Sequence, residues 1–178
     1  MSNPIFTFAL RGAQLVSAAI VFGLSVNLVQ GQVHGGAPVS LGFAAFVGAA
    51  SLVGALVGLA ANWVDALQGI IGLGIDGILT LVNLAGGVLL AVKLKAVNCG
   101  NTNSEYMGDH IIPIDVVNAG CSLLKLAAND RKCLEWLDEK LGKYNSRCQQ
   151  NTAASAFMFI TVVILLVSLT LAFLRNKR

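Results

Sequence analysis

The sequence predicts an all-α integral membrane protein, a four-helix bundle across the bilayer with a disulfide-bonded helical loop on one side. Three observations lead there. Of the 178 residues, 56% are hydrophobic and only 12% are charged, where soluble domains carry about a quarter. The charges are segregated: residues 12–92 hold two, Asp65 and Asp76, whereas residues 93–147 hold fifteen. All four cysteines fall within residues 96–151, which overlap that charge-rich stretch. A soluble fold would have to cover residues 12–92 with polar groups that the sequence does not supply there.

About 20 apolar residues cross a hydrocarbon core of roughly 30 Å. Four segments meet that length, at about 8–30, 39–61, 66–94 and 153–174. They make residues 1–178 one four-span domain. The first segment has Arg11 near its start and no small-x-small site closing a short apolar core. It reads as a retained helix that also directs insertion. Residues 31–38, Gly-Gln-Val-His-Gly-Gly-Ala-Pro, form a turn too short for a domain. Asn62-Trp63-Val64-Asp65 joins the second and third spans, with Trp63 suited to the membrane interface.

Residues 96–151 are polar and carry two helical patterns. Asp115, after Pro113, is positioned to cap a helix through Ala128. Asn129 or Asp130 is positioned to cap a second, in which Cys133, Leu134, Leu137 and Leu141 share a face. The expectation is a helical hairpin standing on the membrane.

Four spans place both termini on one side. Arg11, Arg175, Lys177 and Arg178 favour cytosolic termini, but the loop holds more basic residues, so the positive-inside count points the other way. The cysteines decide. Four in one loop suit two disulfides, which persist in an oxidising compartment. Their spacings of 22, 12 and 15 residues contain no CxxC pair, so no zinc site is expected. Of three pairings, the nested one is expected. Cys99 and Cys148 both lie just outside a span, and Cys121 and Cys133 flank a turn near Asn129.

Catalytic constellations are absent. His34 and His110, the two histidines, fall in loops, and no nucleophile–base set or phosphate-cradling loop can be assembled. No cofactor is expected. The net charge of +3 is scattered and has no aromatic-interleaved basic stripe, so nucleic acid is not an expected partner. At the C-terminus, Arg175, Lys177 and Arg178 suit anionic lipid headgroups, each cation contributing on the order of 1 kcal/mol.

Within the spans, small residues and one carboxylate stand out. Ala50, Gly54 and Gly58 recur at four-residue spacing, a groove for close helix approach. Such a groove serves packing within the bundle or a subunit interface. A second ridge through Ala45, Gly48 and Ala49 is expected to remain for another copy. Asp76 carries an insertion cost of roughly 2.5–3.5 kcal/mol, so it should face the interior. Thr80 and Asn83 share its face, and Asn27 in the first span is a candidate partner. With no basic partner evident in any span, two readings stand. One is a polar clamp, for which Asp76→Asn should keep much of the packing; the other is an ion site.

Tetraspanins carry Cys-Cys-Gly in their large loop, and claudins carry their cysteine-bearing loop between the first two spans; this sequence has neither. Ala61-Asn62-Trp63-Val64-Asp65, Asp76, Ala85-Gly86, Val88-Leu89, Ala91-Val92, Lys95 and Cys99 follow one another in an order similar to that of the MARVEL group. Arg147-Cys148-Gln149-Gln150, Ala153-Ala154 and Ala156-Phe157 resemble its approach to the fourth span. Within the group the chain resembles the fungal non-classical export, eisosome-associated family. The hairpin with Cys121 and Cys133 departs from that family as an elaboration of the outer loop. The resemblance implies a non-enzymatic plasma-membrane organiser in furrow-like domains rich in sterol and sphingolipid. Membrane lipids and further copies of the chain are the expected partners. The competing functions are a small transporter or channel using the Asp76 face, and an accessory subunit of a larger membrane complex.

Overall fold

The computed structural model describes residues 4–61, 70–95, 97–101, 103–121, 128, 131, 133 and 141–176. Four long helices dominate: α1 (Pro4–Gln30), α2 (Val39–Ala60), α3 (Ile70–Lys93) and α5 (Leu141–Asn176). A short α4 (Ser104–Tyr106) runs on into a π-helical turn, Met107–Ile111. Among the described residues there is no strand. All four long helices contain stretches apolar and long enough to cross a membrane.

The apolar character is turned outward. Val16, Phe46, Val53, Leu56, Ile78, Leu81, Val88, Ile160, Val163 and Leu166 are exposed on the bundle surface, whereas Gln14, Ser25, Ser51, Asp76, Asn83 and Thr161 are buried. In water that arrangement would be unfavourable; in hydrocarbon it puts apolar side chains against lipid and polar ones against one another. Three threonine hydroxyls turn back on their own helices. Thr80 Oγ1, Thr161 Oγ1 and Thr170 Oγ1 each donate to the carbonyl four residues earlier. The chain is a multi-pass membrane protein.

The helices close into a ring in which α1 packs on α2 and α5, and α3 packs on α2 and α5. This puts α1 and α3 across the interior from each other. Glycines set the closest approaches. A Cβ on Gly48 would stand 2.7 Å from the Phe22 backbone of α1, and one on Gly54 would run into the Leu79 side chain of α3. On Gly86 it would meet Met158 of α5 and Val47 of α2. Gly48 therefore serves the α1–α2 contact and is not left for another molecule, contrary to the expectation for its ridge.

Of the 36 residues of α5, which at 1.5 Å each span about 54 Å, only 153–174 form the uncharged apolar run. The first three turns are polar and form the spine of a cap at that end of the bundle. There Met107, Ile111, Ile112, Val116 and Val117 pack with Tyr144 and Cys148 into a core continuous with Leu28, Leu41 and Leu90 of the bundle. The expected helix from Asp115 does not form over its first residues. Residues 115–121 make turns and bends, and the rest of that segment lies outside the described residues apart from Ala128. The physical reason is that the Val116 and Val117 carbonyls are taken by Asn151 and Arg147 of α5. Of the expected second helix, Arg131 and Cys133 are helical, while Asn129, Asp130, Leu134, Leu137 and Trp136 lie outside the described residues. The junction 62–65 does too.

Candidate functional site: a buried ion pair and a disulfide-braced cap

Asp76 lies about 9 Å from the start of α3, six residues at 1.5 Å each, and its side chain is 6% exposed. The structure gives it the basic partner that the span sequences did not suggest. Across the bundle, Arg11 of α1 forms a two-pronged pair with it, Nη1 donating to Oδ1 at 2.7 Å and Nη2 to Oδ2 at 2.6 Å. Arg11 Nη1 also donates to Gln14 Oε1 at 2.9 Å. The planar fork of a guanidinium matches a carboxylate in this way, and such charge-assisted bonds are about twice as strong as neutral ones. Gly58 makes the reach possible. A Cβ there would stand 2.6 Å from the Arg11 guanidinium carbon, so the side chain crosses α2 where α2 has none.

The other residues expected beside Asp76 have different partners. Thr80 bonds the Asp76 backbone carbonyl, not its carboxylate. Asn83 Nδ2 donates to Ser51 Oγ of α2 at 2.7 Å and to the Leu79 carbonyl. Asn27, proposed as the partner of Asp76, instead donates to Gln150 Oε1 of α5 at the opposite end of α1. Ser155 Oγ of α5 donates to the Gly87 carbonyl of α3. Each neighbouring or facing pair among α1–α3, α2–α3, α3–α5 and α1–α5 thus shares at least one interhelical polar contact. Of the small-residue ridge, Gly54 is buried against α3 and Gly58 lies under Arg11, while Ala50 is half-buried.

The cap is held by the two disulfides in the nested pairing. Cys99–Cys148 and Cys121–Cys133 have Cα–Cα separations of 5.5 and 5.4 Å. Arg147, beside Cys148, is buried and donates to three backbone carbonyls: Nε to Val117 at 3.0 Å, Nη1 to Gly31 at 3.1 Å and Nη2 to Leu28 at 3.0 Å. Leu28 belongs to the last turn of α1, whose carbonyls have no intrahelical donor. One side chain thereby closes the end of α1 and binds the loop to α5. Asn151 Nδ2, a turn on, donates to the Val116 and Arg147 carbonyls. The α1–α2 connector joins the same cap, since the Val33 and His34 N–H groups donate to the Ala119 carbonyl. His110 stacks on Tyr106, ring centroids 4.5 Å apart. Lys93 pairs with Asp115 at the surface. Lys177 and Arg178 lie outside the described residues, and Arg175 is described only as part of α5.

In the sequence alone Arg11 stands out only as an orientation charge. The signal for its role is positional: Arg11 and Asp76 sit at matching depth from the same membrane side, and Gln14 follows Arg11 at the i+3 spacing of one helix face. For Arg147 the signal is Asn151 at i+4.

The family model of the MARVEL membrane-associating domain matches residues 4–171. Searches of curated protein sequences and of solved structures return no match.

Proposed function

The chain belongs to the MARVEL family of membrane-associating domains, and from that premise we propose that it is a non-enzymatic organiser of the plasma membrane. It acts through helix packing, lipid contact and self-association in specialised domains of the kind that the resemblance to the eisosome-associated family implies. Its termini face the cytosol, and the disulfide-braced cap faces outside.

One observation carries the choice of organiser over transporter. Asp76, the membrane carboxylate on which a transport reading depends, is bound on both oxygens by Arg11 inside the bundle. A carboxylate clamped in that way fixes helix positions; an ion or proton carrier must release its carboxylate in every cycle. The cap supports the same reading, because its described core is continuous with that of the bundle.

The test is the distribution of a C-terminally tagged protein in living cells, with solute and proton flux in reconstituted vesicles as a second arm. The expected result is stable surface patches that disperse on sterol extraction, together with no flux above protein-free vesicles. A uniform surface distribution, or flux abolished by Asp76→Asn, would overturn the proposal.

A further inference from the structure

Where α1 ends against the first turns of α5, a crevice of about 210 Å³ is lined by Asn27, Gly31, Lys143, Ser146, Arg147 and Gln150. Every residue around it is polar except Gly31. Arg147 is 7% exposed, and among the described residues its charge meets carbonyl dipoles and no carboxylate. A guanidinium has five N–H donors; three go to the carbonyls of Val117, Gly31 and Leu28. A buried cation is ordinarily matched by an opposite charge, because carbonyl dipoles only partly replace its hydration.

The crevice lies at headgroup depth. Gln150 is three residues above the uncharged run of α5, and Asn27, to which it bonds, is in the last turn of α1. Below Asn27 on the same face of α1 come Gly23, Ile20 and Val16, at helical spacing. Gly23 is exposed with nothing within 4 Å of its Cβ position, Ile20 is half-buried and Val16 is 60% exposed. Below Gln150 on α5, at helical spacing, comes Phe157, which is half-buried against the core. A cationic, polar notch thus sits at the end of an α1–α5 seam along which the next side chains on both helices are apolar.

We propose that this crevice binds the phosphate group of a lipid headgroup in the cap-side leaflet, with an acyl chain lying along the seam beneath. Arg147 and Lys143 supply the charge. Ser146, Asn27 and Gln150 supply hydrogen bonds, and Gly31 leaves the approach open. A free anion would need only the notch; the apolar, partly exposed residues that follow on α1 and α5 favour a lipid. The site is separate from the Arg11–Asp76 pair, and its failure would leave the organiser reading untouched.

The full chain, disulfides intact, is held in mild detergent with equal amounts of phosphatidylcholine and diacylglycerol bearing the same acyl chains, and retained lipid is counted by native mass spectrometry. Wild type should retain the phospholipid at least tenfold over the diacylglycerol. Gln150→Glu keeps an acceptor for Asn27 but places a carboxylate in the notch, and should bring retention down to the diacylglycerol level with the Tm unchanged or raised. Ser146→Asp provides the same test from the next turn should the first variant misfold. Equal retention of the two lipids, or unchanged phospholipid retention in a folded variant, would overturn the proposal. So would inorganic phosphate raising the Tm as much as the phospholipid does, since that would identify a soluble anion site.

Discussion

Arg11 changes what a substitution at Asp76 must do. Read as an unpartnered carboxylate, Asp76 should tolerate an amide; paired with a guanidinium, it should not. Removing one member of a buried pair leaves an uncompensated charge and costs about 3–5 kcal/mol, whereas replacing both by apolar groups is often neutral. Asp76→Asn should therefore lower thermal stability markedly, and Arg11→Met with Asp76→Leu should recover most of the loss. A double variant less stable than either single one would contradict the clamp. Gly120 is a second sharp position. Its φ is +85°, and a Cβ there would collide with the His34 carbonyl. Gly120→Ala should cost at least the roughly 1–2 kcal/mol of a left-handed residue, seen as a lower Tm with earlier proteolysis of the cap. At this scale the sequence was legible for covalent partners and poor for ionic ones. The Cys99–Cys148 pair follows from where span ends meet and Cys121–Cys133 from the turn between them, but nothing in the order of residues says that a side chain from α1 can cross α2. That depends on the missing side chain of Gly58, visible only when three helices are in place.

The long apolar elements were legible because hydrocarbon imposes length and composition with few alternatives. What the pattern missed is where a helix continues after its apolar run stops. Leu141 reads as part of a separate cap helix and residues 142–152 as the rest of the loop, yet α5 runs unbroken from Leu141, because Arg147 and Asn151 find carbonyl partners at the end of α1 and in the cap rather than in water. The same partners explain why no helix starts at Asp115. A helix needs its own carbonyls, and here α5 side chains hold those of Val116 and Val117. It follows that Arg147→Lys, which keeps the charge but replaces a planar fork with a point donor, should leave buried carbonyls unsatisfied at about 1–3 kcal/mol each. The measurement is the protease resistance of the cap, which should fall while the spans stay helical by circular dichroism. Unchanged resistance would mean that the disulfides alone hold the cap. Between α1 and α2, Gly48→Val should cost about 1–3 kcal/mol through overpacking against the Phe22 backbone, measured as a drop in Tm.

For the whole molecule, the account requires a cap outside, termini inside and association in the plane of the membrane. A protease added to intact cells should cut within residues 96–151 and spare a C-terminal tag; loss of the tag first would reverse the orientation. Apolar burial does not drive association in lipid, where the tails are as apolar as leucine, so close backbone approach must do it. Gly48, Gly54 and Gly58 are used within the bundle, which leaves the outer face of α2, where Gly42, Phe46 and Val53 are exposed and Ala45 and Ala49 are half-buried. The most direct test is the mass of the intact assembly released from lipid discs, for wild type and for Ala49→Trp. The account predicts that wild type flies as a multimer and that the tryptophan variant, folded and with both disulfides intact, falls to a monomer. A wild type that remains monomeric in discs and in several mild detergents would contradict it.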